Sequence, residues 1–407
     1  MQFPSINPPQ ADVARVFEAP PTDLKLQVLL VGNYPRDGQE SMLRFATAML
    51  DGLRKAGVSV ELILPPVCLG GAVASSSGGL GKWLAYLDKY VLFPIFLRRR
   101  LRKLQARNDG KRVVVHICDH SNAVYTGAVS RAAILITCHD LLAVRGALGE
   151  ETDCPASATG KWLQRWIRNG LSRANIIACD SSATKEDADR LVDLDRHGAR
   201  TCYIPIGLNH PYRPLSPGET ATRLAQIPAL QAPFVLHVGS NLRRKNREGV
   251  MRIFAKTAAR WNGRLVFAGE PISAELHALA DSLQITDRIT EVRKPGNDLL
   301  EALYNRATCL LFPSRFEGFG WPIIEAQACG CPVVCSASGP LPEVAGEGGL
   351  IRDVEDEAGL AEDVLRLTDP AERAIWQAKA LANLERFTTE RMVHEYLRLY
   401  GEALSPQ

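Results

Sequence analysis

The sequence has no long apolar run. A bilayer-spanning helix needs ~20 consecutive apolar residues. The best candidate, Tyr90 to Leu97 (YVLFPIFL), is far shorter and contains Pro94. Net charge is also scarce: 48 basic residues against 45 acidic ones leave only +3. That argues against a dedicated nucleic-acid binder, whose affinity rests on many cationic contacts to phosphate. Ten cysteines among 407 residues are too dilute for a disulfide scaffold. The first twenty residues, MQFPSINPPQADVARVFEAP, are polar and Pro-rich and lack the apolar core of a secretory leader. Reduced thiols and a cytoplasmic location are the resulting expectation. Low-complexity sequence is confined to Gly70–Gly81 (GGAVASSSGGLG), read as a mobile surface loop.

What is present is ordinary for a soluble globular enzyme: 46% hydrophobic and 23% charged residues. At ~150 residues per domain the length suggests two to three domains. Residues 1–23 read as a flexible arm. An apolar run, Leu26–Val31, is followed by the turn-rich NYPRDGQES, then by a helical pattern from Ser41 to Lys55 and a second strand candidate, Val58–Leu64. This βαβ order implies a parallel sheet covered by helices. Further strands are expected at Val113–Ile117, Ala132–Thr137, Asn175–Cys179 and Thr201–Ile204. Six prolines between Pro205 and Pro233 make regular structure hard to sustain there.

A second series follows, at Phe234–Val238, Arg264–Ala268, Ile289–Val292, Cys309–Phe312 and Pro332–Cys335, before helical sequence over about Ala371–Leu404. The expected architecture is α/β, with two doubly wound Rossmann-like domains facing each other across a cleft. The segments are an arm (1–23), a first domain (24–205), a linker (206–232), a second domain (233–385) and a C-terminal helix (386–407) that could pack back on the first domain. Ligands of such sheets bind at the carboxyl ends of the strands.

The strongest chemical signal is FPSRFEGFGWPIIEAQACGCPVV, Phe312 to Val334. A strand ends at Phe312, a loop carries Glu317-Gly318-Phe319-Gly320, and Trp321-Pro322 opens a helix, where proline costs no backbone donor. Glycines let backbone N–H groups approach a ligand, and a helix N-terminus favours an anion. Glu325 lies about two helical turns into that helix. Two carboxylates so placed can accept hydrogen bonds from sugar hydroxyls.

A second signal is Gly239-Ser240-Asn241-Leu242-Arg243-Arg244-Lys245-Asn246, a cationic loop between a strand and a helix that can neutralise a diphosphate; the alternative is a solvated basic turn. In the first half, His120 and His139-Asp140 follow two strands and face the expected cleft, while His116, inside a strand, reads as a packed core residue. Gly38 lies in the first strand–helix turn, where a plain helix-opening turn is the competing reading. No Asp-x-Asp stands at a strand end to hold a divalent cation. Cys329, Cys331 and Cys335 lack the paired C-x2-C halves of a zinc site and read as small core residues.

The segment from Pro313 to Val334 resembles the Glu-x7-Glu signature of retaining glycosyltransferases of the GT-B fold, in particular the large family 4. The resemblance extends over most of the chain and is weakest in residues 1–110. It implies that Glu325 binds the donor ribose, that Glu317 contacts the transferred sugar, and that the amides of Gly318, Phe319 and Gly320 hold the sugar and diphosphate. Lys245 matches a lysine that contacts the donor diphosphate. Relatives often carry an arginine directly after the glycine at 239, where this chain has Ser240; Arg243 or Arg244 would supply that second cation.

His120 is the counterpart of a histidine that bonds the transferred sugar, and His139 with Asp140 resembles a His-Asp pair that meets sugar or acceptor. Relatives usually carry a Gly-Gly pair where this chain has Gly38-Gln39, which leaves a diphosphate or acceptor contact at Gly38 open.

The implied activity is transfer of a hexose from a nucleotide diphosphate sugar to an acceptor hydroxyl, with retention and without metal or other cofactor. His120, Glu317 and Lys245 would carry the chemistry. The partners would be the donor and a glycan or lipid-linked acceptor, and no nucleic acid. The stretch Leu97–Arg107 (LRRRLRKLQAR) has six cations and no acid. Two readings stand: peripheral contact with an anionic membrane on the cytoplasmic face, or a solvated helix face. The rival functions are a sugar-nucleotide epimerase of the same architecture and a non-catalytic nucleotide-sugar binder. A glycogen-type phosphorylase would need a pyridoxal lysine that no motif supports.

Overall fold

The computed structural model describes residues 25–70, 79–107 and 110–405. The expected arm, 1–23, and residues 71–78 of the expected Gly70–Gly81 loop lie outside them. Residues 79–81 are not loop but the start of a helix, Gly79–Leu87.

Twelve strands form two all-parallel sheets of six. The first holds β1 (Leu26–Val31), β2 (Ser59–Ile63), β3 (Arg112–Ile117), β4 (Ala133–Cys138), β5 (Ile176–Cys179) and β6 (Arg200–Tyr203). Their order is β2-β1-β3-β4-β5-β6. The second holds β7 (Phe234–Gly239), β8 (Arg264–Gly269), β9 (Ile289–Arg293), β10 (Cys309–Phe312), β11 (Val333–Ser336) and β12 (Gly349–Arg352), in the order β12-β11-β10-β7-β8-β9. Strand order reverses between β1 and β3 and between β7 and β10. Those reversals open a crevice at the carboxyl ends of the strands, where open α/β sheets take ligands. Eleven strands fall within two residues of their expected positions. The exception, β12, is only four residues long, and its sequence GLIR carries no periodic signal.

The strands read as continuous apolar runs because helices cover both faces; Val28 to Val31 are fully buried. The helix Glu40–Lys55 turns Phe45, Ala46, Met49 and Leu53 inward at the spacing of one helical face.

The Pro-rich segment is more regular than its six prolines imply. It contains a helix, Pro217–Leu224, with Pro217 in the first turn and a capping box in which Ser216 and Glu219 bond each other's backbone N–H. Pro217 and Pro228 open helical turns, where no amide donor is lost, and Ser216 satisfies one that would be. This helix packs on Asn297–Arg306 and is pinned by the Arg223–Glu301 ion pair at 2.6 Å.

The run Tyr90–Leu97 also resolves locally. Pro94 has no N–H, and the chain answers with a π turn, Asp88–Leu92, before the helix Phe93–Gln105. In that helix Leu97, Leu101 and Leu104 face the core and Arg100 pairs with Glu61 at 2.5 Å.

The C-terminal helical sequence divides into Pro370–Leu384 and Thr389–Leu404 around a short turn at Glu385–Phe387. The last helix crosses to the first sheet. It packs on β3, β4 and Glu40–Lys55, and its Tyr400 and Tyr396 hydroxyls bond His116 Nδ1 and Thr137 at 2.7 Å each. His116, fully buried and pushed down to about 3 by desolvation and by His139, is a core residue. Cys329, Cys331 and Cys335 are likewise buried. Among the described residues no helix is long and apolar enough to cross a membrane.

Candidate functional site

The site gathers around the β7 and β10 loops, which are laced together. After β7 the chain makes a tight turn, Arg243–Lys245, and Asn246 follows in the left-handed region at φ 51°. Asn246 holds the turn in two ways. Its Oδ1 accepts from Gly249 N at 3.3 Å, capping the next helix, and its Nδ2 donates to Pro313 O at 3.0 Å. Arg315 N donates to Arg244 O at 2.7 Å. The lacing sets Glu317 against two cations: Lys245 Nζ donates to one carboxylate oxygen at 2.6 Å, and Arg244 Nη1 to the other at 2.8 Å.

Burial opposes charge on the Glu317 carboxyl, but the two cations outweigh it and hold the group below the usual carboxylate range. Burial pushes the Lys245 ammonium below its ordinary value, and Glu317 opposes that. The Lys245 ammonium also lies 4.9 Å over the Phe312 ring. Of the two arginines considered for the second cation, Arg244 joins this cluster. Arg243 does not: its side chain is 87% exposed and 3.9 Å from Asp153 across the cleft. Arg247 lies just beyond the cationic loop motif and carries no signal of its own in the sequence. It donates to the Gly239 carbonyl at 2.6 Å and so fixes the peptide at which β7 ends.

Gly320 precedes the helix Trp321–Ala328 at φ 109°, a left-handed conformation that glycine adopts without penalty. The Phe319 side chain faces inward against Phe387, 5.8 Å between rings, so only its backbone belongs to the loop. Glu325 is buried and accepts from the Tyr304 hydroxyl at 2.9 Å and from Asn209 Nδ2 at 3.0 Å. Desolvation holds its carboxyl above the ordinary value in spite of both hydrogen bonds. Each oxygen retains a further lone pair for a ligand hydroxyl.

The first sheet contributes a polar network at the mouths of β1, β3, β4 and β5. Asn33 donates to both Asp119 and Gln39, and Asn122 donates to Asn33 Oδ1 at 3.1 Å. Asp119 caps the following turn through Ser121 N at 2.9 Å. His120 Nδ1 is 3.2 Å from Asp119 Oδ1, but it is off the axis of a hydrogen bond and has no aligned partner.

His139 is held differently. Nδ1 meets Asp180 Oδ2 at 3.0 Å and Nε2 meets the Cys118 carbonyl at 3.0 Å, so both ring nitrogens are taken by the protein. Burial opposes charge on this imidazole, yet Asp180 and Asp119 hold it above its ordinary value. Burial raises Asp180 to about 7, against the pull of His139. Asp140, two residues before the next helix begins, accepts from Leu142 N at 3.0 Å. Gly38 has φ 68° and open space where a side chain would stand.

The two halves of the crevice meet at Gly318. Ser181 Oγ donates to its carbonyl at 3.1 Å, and a Cβ on Gly318 would come within 2.2 Å of the His139 carbonyl oxygen. Ser182 N donates to Glu343 Oε2 at 3.0 Å and Trp321 Nε1 to Gly207 O at 3.3 Å. The structure thus brings Lys245, Arg244 and Glu317 together in one cluster, with Glu325 deeper in the same domain and His120 and His139 on the facing one. Among the described residues no group of three or more His, Cys, Asp or Glu side chains could hold a metal ion.

Residues 223–381 match the family described as glycosyl transferases group 1. The D-inositol 3-phosphate glycosyltransferase of Acidothermus cellulolyticus is 30% identical over 313 residues, covering 70% of this chain and 67% of that protein. The chain belongs to the glycosyl transferases group 1 family. It spans about half to two thirds of the length of the curated relatives it matches.

Solved structures share the architecture of this family member. Sucrose-phosphate synthase from Thermosynechococcus elongatus superposes with a TM-score of 0.70 at 23% identity, covering 93% of this chain and 98% of that one. Anabaena HepE in complex with UDP-glucose superposes with a TM-score of 0.65 at 17% identity, covering 93% and 100%. The fold is that of GT-B glycosyltransferases.

Proposed function

We propose that the chain transfers a hexose from a nucleotide diphosphate sugar to an acceptor hydroxyl with retention of configuration, in glycan or glycolipid synthesis. The observation that carries the reading is the Arg244–Lys245–Glu317 cluster at the β7/β10 reversal, with Glu325 one helix segment deeper. Two fixed cations at a strand mouth suit a diphosphate leaving group. Charge develops on that group as the glycosidic bond breaks, and preorganised donors stabilise it there. Glu317 accepts from sugar hydroxyls, Glu325 from the ribose, and the amides of Gly318, Phe319 and Gly320 line the sugar and diphosphate. His120, on the facing domain with its Nδ1 turned toward Asp119, contacts the transferred sugar. The solved relative in complex with UDP-glucose supports a nucleotide sugar as the donor class.

Transfer proceeds on one face of the sugar. The acceptor oxygen attacks as the diphosphate departs, and a leaving phosphate oxygen takes the acceptor proton. Lys245 and Arg244 supply the charge that a divalent metal would otherwise bring. The decisive experiment is product analysis with UDP-, GDP- and ADP-sugars, with anomeric configuration assigned by NMR and each reaction repeated in chelator. Transfer with retention, unchanged by chelator, is the expected result. Epimerised donor, an inverted product, or loss of activity restored by magnesium or manganese would each overturn the corresponding part of the reading.

A further inference from the structure

The helix that starts at Gly79 runs through the π turn Asp88–Leu92 into Phe93–Gln105. Its inner face is buried. Its outer face is not the polar surface that a solvated helix presents. Trp83 is 69% exposed, and Leu87, Val91, Ile95 and Phe96 are exposed as well. The spacing of four from Trp83 to Ile95 keeps them in one stripe, and the wider π turn limits the drift that such spacing has on a regular α-helix. Ring contacts extend the stripe sideways. Trp83 meets Tyr86 at 6.1 Å, Tyr86 meets Tyr90 at 5.5 Å, Tyr90 meets Trp166 at 5.5 Å, and Trp166 meets Trp162 at 5.4 Å. Trp162, on the helix Ala158–Leu171, is 64% exposed. Two helices therefore share one apolar face with a tryptophan at each end.

The same helix then turns cationic. Arg98, Arg99, Arg102 and Lys103 are exposed, and Phe93–Gln105 contains no acid. The face is also tied to the crevice. Tyr34 donates to Asp88 at 3.2 Å, and Lys89 pairs with Asp37 at 2.6 Å, so the β1 loop that carries Gly38 is anchored to the middle of this helix.

We infer that this face docks on a lipid bilayer surface bearing anionic headgroups, with the tryptophans and aliphatic stripe in the interfacial zone and the arginines on lipid phosphates. Exposed apolar stripe, interfacial tryptophans and an adjoining acid-free cationic row are together the requirements of interfacial binding. A second copy seated on the same face would bring no available acid of this helix to neutralise those cations, because Asp88 is buried and accepts from Tyr34 and the backbone. The consequence that the acceptor is itself membrane-anchored, and enters the crevice beside Gly38, rests on the transferase reading above; the docking surface does not.

The test is flotation of the full chain with vesicles of phosphatidylcholine alone and of phosphatidylcholine with phosphatidylglycerol. The chain is expected to float with the anionic vesicles and to be released progressively by salt. Combined Arg98→Gln, Arg99→Gln and Arg102→Gln should lower partitioning about a hundredfold, at roughly fivefold per surface cation. Trp83→Ser with Phe96→Ser should abolish the salt-resistant remainder. All five positions are exposed, so circular dichroism should be unchanged.

Failure of the unmodified chain to float, or variants that float equally well, would overturn the inference. So would self-association that the tryptophan and phenylalanine substitutions disperse without any flotation, which would assign the face to a second copy. Sugar-nucleotide binding followed by thermal shift in the absence of vesicles is an independent readout. Its absence in the unmodified chain counts against the transferase reading and leaves the docking surface standing.

Discussion

The Lys245 ammonium and the Glu317 carboxylate are 2.6 Å apart, on loops separated by 72 residues of chain. Arg244 closes the other side of the same carboxylate, so the two cations have a resident counter-ion. On the proposed transferase reading, a donor diphosphate would compete with Glu317 for them, and its arrival would free that carboxylate for the hydroxyls of the sugar it delivers. The pair would then couple recognition of the leaving group to recognition of the sugar.

Lys245→Ala should lower kcat by roughly 10²–10³, the range for loss of a preorganised charge stabiliser, with a smaller change in donor KM. Arg244 stays on Glu317, so the loop should hold its shape. Steady-state kinetics decide the point. A variant with unchanged kcat and only a raised KM would mean uniform binding, and leaving-group stabilisation would have to move to Arg244.

Glu325→Ala should weaken binding of the free nucleotide diphosphate by about 1.5–3 kcal/mol, the worth of hydrogen bonds to a charged acceptor. It also leaves the buried Tyr304 hydroxyl and Asn209 amide without their acceptor, at a stability cost of about 1–3 kcal/mol. Glu325→Gln keeps an acceptor for one of them and separates the two effects. Calorimetric titration alongside urea unfolding measures both. Nucleotide affinity equal to that of the unmodified chain would remove Glu325 from the site.

Gly318→Ala tests the contact between the domains. The added methyl meets the His139 carbonyl at 2.2 Å and Asp140 Cβ at 2.9 Å, so the crevice must open. The amide at 318 survives the change. Free nucleotide should bind nearly as before, while transfer falls by on the order of 10²-fold, as for a misplacement of about 1 Å between reacting groups. Equal losses in binding and transfer would show that Gly318 acts within one domain only.

The His139–Asp180 pair gives a pH dependence with a definite sign. Both groups sit above their ordinary values in the folded chain, Asp180 at about 7. Through this pair the folded chain binds more protons than the unfolded one, so the pair's own contribution to stability falls as pH rises toward and through 7, while the buried His116 and His237, both held low, contribute in the opposite sense below about 6.5. Asp180→Asn should flatten that fall. Urea midpoints at about pH 5 and about pH 8 provide the check. An unaltered slope in Asp180→Asn would assign the dependence to other groups, such as Glu325.

Much of this protein is legible in its order of residues. Apolar runs such as Leu26–Val31 and Phe234–Val238, alternating with helical periodicity, dictate parallel strands covered on both faces, because only buried strands tolerate continuous hydrophobic sequence. The loop positions of Lys245 and Glu317 follow from local spacing, as does the place of Glu325 on the next helix, although it lies one turn in from Trp321 and not the expected two. Where local rules ran out, as in the proline-rich stretch before Phe234, the missing element was a helix held by a capping box and by packing on Asn297–Arg306, which no proline count reports.

Partnership is what only the tertiary structure decided. Arg244, not Arg243, meets Glu317, because the backbone bond from Arg315 to Arg244 and the Asn246–Pro313 bond set the facing of the two loops. Glu325 is held by Asn209 and Tyr304, from a turn before the Pro-rich helix and from the helix Asn297–Arg306. His139 has both nitrogens engaged by Asp180 and Cys118, residues on neighbouring strands' ends, while His120 keeps an unaligned nitrogen. The final helix reaches back across to His116 and Thr137. Each of these is a contact between residues tens to hundreds of positions apart. A sequence fixes such contacts only through the closing of two sheets, because hydrogen-bond and ion-pair geometry is set by the positions of backbones that local periodicity does not encode.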